Sequence, residues 1–331
     1  MEIDINEQYI LKKYPEILEI LISDRSSGKT LVWGTNNYAG RGTGFYEDNH
    51  IFLNLITGYN HNVIKPRIKK SQKEQKKRSK DMAEVFTPSW VCNKQNNLVD
   101  EAWFGYKDAF NIEGFGNTWA STDRVKFTDK SWQDYVELER LEMTCGEAPY
   151  LVSRYDATSG DYISLKDRIG LLDRKLRVIN ENVNDKEEWI KWTTIAFQRI
   201  YGYDYQGDNV ILARENLLFD FIENFIFKFN EEPSIELVKE IAKIISWNIF
   251  QMDGLKYVIP LSCHKEKVHT LQMSLFDFDD DGVYHSPEDH EEDCPGCIKG
   301  DNKKHNGIYV KIKDWKKNKN IKFIDLVGGG Y

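Results

Sequence analysis

The chain has 331 residues, 40% of them hydrophobic and 30% charged, with a net charge of -8. That is enough apolar matter for one large core or two modest ones, and no run approaches the roughly eighteen apolar residues a membrane span requires. Five cysteines, odd in number and scattered apart from Cys294 and Cys297, argue against a disulfide framework and for a reducing, cytoplasmic setting.

Residues 5–22, INEQYILKKYPEILEILI, set Ile10, Leu11, Ile17, Leu18, Ile20 and Leu21 towards one face and predict a short helix. KTLVWG (29–34) predicts a strand. It leads into GTNNYAGRGTGF (34–45), whose Gly40, Gly42 and Gly44 lack the strand-then-helix frame of a phosphate loop and predict a loop or hairpin. From Lys65 to Lys80, KPRIKKSQKEQKKRSK holds nine basic residues against Glu74 alone. A stripe of that density can neutralise phosphates, so Lys69, Lys70, Lys73, Lys76, Lys77 and Arg78 are candidate DNA contacts, with a solvated helix face as the bland alternative.

Between 81 and 260 strand and helix patterns alternate. RLEMTC (140–145) and RIYGYD (199–204) predict short buried strands, and IELVKEIAKIISWNIF (235–250) predicts a helix opened by Pro233-Ser234. This order predicts an α/β fold with a parallel sheet, covering helices, and ligands at the carboxyl ends of the strands. Residues 261–293 turn acidic and predict a mostly disordered linker. At the end, GIYVKI (307–312) and IKFIDL (321–326) predict a hairpin with a basic turn. The expected division is an N-terminal extension 1–80, a cofactor-binding domain 81–260, the linker 261–293, and a metal-stapled hairpin 294–331.

Four segments, AEVFTPSWVCNKQNN (83–97), LEMTCGEAPYL (141–151), RIYGYDYQGDNVILARENLL (199–218) and SWNIFQMDGLK (246–256), occur in the order seen in adenine-specific DNA methyltransferases of restriction-modification systems, and the chain resembles that family. It is also similar to short bacterial and phage methylase subunits of such systems. The resemblance implies a Rossmann-like sheet, whole or incomplete, that binds S-adenosylmethionine and acts on DNA, with a restriction-modification partner chain. It implies that Cys145, Gly146 and Ala148 give the small-residue turn beside the cofactor's methionine part. Glu147, Pro149 and Tyr150 depart there from the family's Gly-Ser-Gly-like form. It further implies that Asp204 accepts both ribose hydroxyls, that Asp253 takes a hydrogen bond from the adenine amino group, and that Thr87-Pro88 closes over the cofactor.

One family feature is missing. The adenine amine is a poor nucleophile, and the family positions it with an Asn/Asp/Ser-Pro-Pro-aromatic loop after the base is flipped out; this chain contains no Pro-Pro dipeptide. Two expectations follow: a methyltransferase or methylase subunit whose catalytic residue is unknown, or a catalytically inactive DNA-binding adaptor with a cofactor-type fold.

Gln272-Met273-Ser274-Leu275-Phe276 resembles the peptide by which bacterial proteins dock on the DNA sliding clamp, with Gln272, Leu275 and Phe276 as its anchors. Cys294-Pro-Gly-Cys297 has the form of a metal knuckle, and His305 with Cys263 or His264 would complete a tetrahedral zinc site.

Overall fold

The computed structural model describes residues 6–268 and 290–327. Strands β1 (Asn111–Glu113) and β2 (Trp119–Ser121) form an antiparallel hairpin. Strands β3 (Arg140–Met143), β4 (Ile200–Asp204) and β5 (Ile249–Gln251) form a parallel sheet in the order β3-β4-β5. Further along, β6 (Glu266–Val268) pairs antiparallel with β7 (His290–Glu292), and β8 (Lys311–Asp314) with β9 (Lys319–Lys322). The fold is mixed α/β with small sheets.

Parallel neighbours cannot be joined by a tight turn. Helices Leu171–Asn182 and Lys186–Gln198 therefore lie between β3 and β4, and helices Gly207–Phe229 and Ile235–Asn248 between β4 and β5. The helix Gly207–Phe229 is buried along its whole length to Phe225, so it is covered on every side rather than along one stripe, and its buried polar residues are paired with groups of other elements. Its fully buried Arg214 donates to the carbonyls of Leu21, Ser23, Ser246 and Ile249, which ties the N-terminal segment, the last crossover helix and β5 together.

The sheet has two covered faces. Ile200 and Ile249 join the main core with Ile10, Ile17, Leu18, Leu21, Leu31, Trp33 and Ile51, so the N-terminal segment packs into the same core as the sheet. Tyr203 and Phe250 face the other way and form a second cluster with Met252, Ile259, Val310, Ile312 and Phe323. The C-terminal hairpin thereby roofs β4 and β5. On the same face, Leu141 and Met143 of β3 stay exposed.

Three elements differ from expectation. The first helix breaks into Glu7–Lys13 and Pro15–Ile22, because Pro15 has no N–H to continue the ladder and holds Tyr14 at φ -140°. KTLVWG is extended but joins no sheet; the Gln251 side-chain amide pairs with both the N–H and the C=O of Val32 in place of a neighbouring strand. The terminal strands shift to β8 and β9, since Asp314 accepts from the Lys317 N–H at 3.0 Å and fixes a tight turn, after which Phe323–Val327 is helical. No helix among the described residues is long and apolar enough to cross a membrane.

Candidate cofactor groove and metal centre

Beyond Met143 the chain bends sharply, with Thr144, Gly146 and Ala148 all at positive φ. The bend is fastened to β4 on both sides: the Cys145 N–H donates to the Tyr203 carbonyl at 2.8 Å, and the Gly146 N–H to Asp204 Oδ2 at 2.9 Å. A cavity of about 560 Å³ opens beside it. Met82 to Thr87 form one wall, and Glu142 to Gly146, Tyr150, Asp204 to Gln206 and Asn209 the others. Gly146 sits at φ +54°, where a side chain would strain the backbone and bring its Cβ to 3.5 Å from the Phe86 ring.

The groove is electrostatically one-sided. Glu84, Glu142 and Asp204 line it and no lysine, arginine or histidine does. Glu84 Oε1 and Glu142 Oε2 are buried without a hydrogen-bond partner. Burial pushes the Glu142 carboxyl well above its ordinary range. Burial likewise pushes Asp204 up to about 6, against the backbone N–H groups of Gln206 and Gly146. Asp204 Oδ1 accepts from the Gln206 N–H at 2.9 Å and the Asn209 amide at 3.4 Å, and Oδ2 from Gly146. A carboxylate has about four acceptor positions. One remains on Oδ2, enough for a single further hydroxyl rather than two. Such a lining offers phosphate no cation and offers hydroxyl and ammonium donors their acceptors.

Of the residues expected here, Thr87, Cys145, Gly146 and Asp204 line the groove. Pro88 stands at the start of helix Ser89–Phe104, just behind Thr87. Asp253 is not in the groove: it accepts from the Leu255 and Lys256 N–H groups at 3.0 and 3.2 Å, closing a turn, and lines a second cavity with Cys263, Cys294 and Cys297. Tyr205 borders both cavities. Glu147 turns away from the groove, accepting from the Arg67 N–H and the Tyr155 hydroxyl, both at 2.5 Å.

The basic stretch forms helix Gln72–Met82, opened by a Ser71–Glu74 capping box. Lys69, Lys73, Lys76 and Lys77 are exposed. Lys70 and Arg78 are not surface contacts: Arg78 pairs with Asp208 at 2.8 Å and Glu84 at 2.7 Å, and Lys70 lies 3.7 Å from Asp208. These buried acids need cations, and Lys70, just before the helix, and Arg78, on it, turn inward to meet them. Gln272, Leu275 and Phe276 lie outside the described residues.

Four ligand atoms converge below the second cavity. Cys263, Cys294, Cys297 and His305 offer atoms that all lie within 4.8 Å of one another. His305 Nδ1 is 3.6 Å from the sulfurs of Cys294 and Cys297 and 3.7 Å from that of Cys263. Zinc at about 2.3 Å from sulfur and about 2.0–2.1 Å from nitrogen, with tetrahedral angles, separates N and S by roughly 3.5–3.6 Å. The spacing is that of a tetrahedral edge. This Cys3His group can hold a metal ion, and its donors suit zinc.

The sequence builds the group locally. Cys294 precedes the short helix Pro295–Lys299, and the Asn306 N–H donates to its sulfur at 3.3 Å. Burial pushes the Cys294 thiol up, but the N–H groups of Asn306, Cys297 and Gly296, with His305, outweigh it and bring it down to about 6. Cys263 arrives on a clamp in which Asn306 bonds both the N–H and the C=O of His264. That clamp engages the backbone of His264, and the sulfur of Cys263 supplies the fourth donor atom of the group.

No family model, curated protein or solved structure matches the chain.

Of the groove's acids, Asp204 was singled out by sequence, and Glu84 and Glu142 were not. Glu142 carried the one available signal, a charged residue at an inward position of a strand that is otherwise read as buried. Glu84, Gln206 and Asn209 carried none.

Proposed function

We propose that the chain binds S-adenosylmethionine in the groove between the Gly146 bend and Asp204, as the cofactor-binding part of an adenine DNA methyltransferase of restriction-modification type. The observation that carries this reading is the groove's lining: Glu142 of β3, Asp204 of β4 and Glu84 of the facing wall, with no basic side chain among the lining residues and Arg78 paired to Glu84. A nucleotide's phosphates would find no free cation there, since the nearby Arg78 is already paired with Glu84 and Asp208. A sulfonium meets attraction, and its ammonium and ribose hydroxyls are the donors that Glu84 Oε1, Glu142 Oε2 and Asp204 Oδ2 need. The sheet order β3-β4-β5, with helical crossovers, supports a Rossmann-like half-sheet.

In this reading Thr87 and the Met82–Phe86 wall shield the ligand from water, Gly146 lets the backbone approach, and Asp204 orients the ribose. The cofactor supplies an electrophilic methyl group. The residue that would accept a hydrogen bond from the adenine amine is not among the groove residues, and the chain has no Pro-Pro loop to offer it. That absence favours a second reading, a cofactor-binding adaptor that does not turn over. In either case the Cys3His group binds zinc and staples the C-terminal lobe.

Calorimetry with S-adenosylmethionine, ATP and NAD tests the groove. S-adenosylmethionine is expected to bind, and Gly146→Val to abolish binding by filling the approach and straining the bend. Glu142→Gln, which keeps shape but puts an amide donor in place of one carboxyl oxygen, is expected to weaken binding about tenfold, the effect of one lost hydrogen bond. ATP or NAD binding as tightly as S-adenosylmethionine rejects the reading. Methyl transfer to duplex DNA then separates enzyme from adaptor.

A further inference from the structure

The C-terminal lobe is charged oppositely to the rest of the molecule. Residues 294–327 carry nine lysines against three aspartates, in a chain whose total is -8. Lys299, Lys303, Lys304, Lys311, Lys316, Lys317, Lys319 and Lys322 are exposed. The hairpin sorts them by face. Ile312 and Ile321 are opposite each other, with Ile312 buried in the second core cluster against β4 and β5 and Ile321 packed on it. Alternation then places Lys311, Lys313, Asn320 and Lys322 on the outward face.

Lys311 and Lys322 are direct cross-strand partners. Like charges at that position destabilise a hairpin. Among the described residues no carboxylate pairs with Lys311, Lys313, Lys319 or Lys322. Lys313 lies over the Trp315 ring at 4.7 Å and Lys322 over the Tyr309 ring at 5.1 Å, so both stems are held and their charges presented together. A folded element that accepts mutual repulsion of this kind is stabilised when a polyanion lies across it.

We propose that the outward face of the β8–β9 hairpin docks the phosphate backbone of duplex DNA. Lys311 and Lys313 are about 6.8 Å apart along their strand, the axial span of two phosphate steps at about 3.4 Å each on one DNA strand. Duplex DNA also admits a two-stranded ribbon of this width in its major groove, where Asn320 would face the bases. The inner face of the hairpin is fixed on the sheet by Ile312 and by the Val310 N–H donating to the Tyr257 carbonyl at 3.0 Å. The docking face is therefore carried rigidly on the body that holds the cofactor groove. This deepens the methyltransferase reading by placing its DNA contact away from the Gln72–Met82 helix.

The test uses the full chain and a short fluorescent duplex, followed by anisotropy across a salt series. The variant Lys311→Glu/Lys313→Glu/Lys322→Glu changes side chains of the outward face, of which Lys313 and Lys322 also stack on rings; unchanged circular dichroism establishes that it folds. It is expected to bind roughly hundredfold more weakly at 0.1 M salt, with the slope of log affinity against log salt shallower by about 2.7. A second variant, Lys73→Glu/Lys76→Glu/Lys77→Glu on the other basic helix, is expected to lose far less. Unchanged affinity in the hairpin variant, or a larger loss in the helix variant, overturns the proposal. So does tighter, hairpin-dependent binding to phosphatidylserine vesicles than to DNA. S-adenosylmethionine binding is measured on the same samples: its failure removes the groove reading and leaves the DNA result standing.

Discussion

Removing the metal, or one thiolate that holds it, is expected to unfasten part of the C-terminal lobe while leaving the sheet intact. Structural zinc contributes an apparent binding free energy of about 10–16 kcal/mol in small metal domains, and in such sites binding energy is folding energy. Here the segments joined by the metal have little else to hold them. Between Cys263 and His305, leaving aside the undescribed residues, Cys294 is the one residue that enters the apolar core, and Ile298 is 58% exposed. The hairpin proper is different. Val310, Ile312 and Phe323 are buried against Tyr203 and Phe250, at about 1.5–3 kcal/mol for each large side chain.

Chelation should therefore raise hydrogen exchange in 263–268 and 290–305 and leave 310–323 protected. Cys297→Ser should lower zinc affinity more than hundredfold, since loss of a mere outer-shell partner already costs 10–100-fold. Cys297 is exposed, so the serine itself costs little. Gly296→Ala should act through geometry alone, because its Cβ would lie 2.6 Å from the His305 nitrogen of the backbone and 2.7 Å from Nδ1. Lys256 belongs to the same electrostatic unit. Burial lowers its pKa, but Cys297, Asp253 and Cys263 outweigh that and raise it, so its charge would offset the single net negative charge that three thiolates would leave on a bound zinc. One zinc per chain by mass spectrometry is expected; no bound metal, or exchange unaffected by chelation, would exclude a metal staple.

The metal ligands were legible because a Cys-Pro-Gly-Cys turn presents two thiolates locally, whatever the rest of the fold does. Cys263 and His264 were equivalent in sequence, and only the clamp of Asn306 on the His264 backbone separates them. The strands β3 and β4 were legible as short apolar runs, and their parallel pairing followed from the helical patterns between them. What was not legible is where charge goes. A run such as KPRIKKSQKEQKKRSK reads as a solvated stripe, yet Arg78 and Lys70 face Asp208, distant in sequence, and only the folded core brings those groups together. The same is true of Glu84 and Glu142, whose burial is a tertiary fact. Asp253 shows the converse: it follows a strand as Asp204 does, but its carboxylate is consumed by its own turn, a role that segment order alone cannot reveal.

Asp204 is expected to make ligand binding depend on pH in a specific sense. Its carboxyl is raised from 3.8 to about 6 in the folded protein, chiefly by burial. A raised acid favours the protonated fold, so this group's contribution to stability is absent above pH 6, grows as pH falls through 6, and is complete below 3.8; two units correspond to about 3 kcal/mol. Ligand binding runs the other way. A ribose hydroxyl donating to Oδ2 favours the ionised form, so the bound state has the lower pKa. Affinity for S-adenosylmethionine should then be level above pH 6 and fall up to tenfold per unit below it. Among the groups around it, Glu142 is pushed well above its ordinary range by burial and Asp208 adds a negative charge that raises Asp204 further; Asn209, Gln206 and Gly146 do not titrate. Asp204→Asn should weaken binding by about 10- to 150-fold, the loss of one hydrogen bond to a charged group at about 1.5–3 kcal/mol, and should flatten the pH profile. Circular dichroism checks the fold of this variant, because the asparagine oxygen still accepts from Gln206 while the bond from Gly146 that fastens the bend is lost. An affinity that ignores pH on both sides of 6, or an Asp204→Asn protein that binds as the parent does, would mean that this carboxylate fastens the bend after β3 to β4 and touches no ligand.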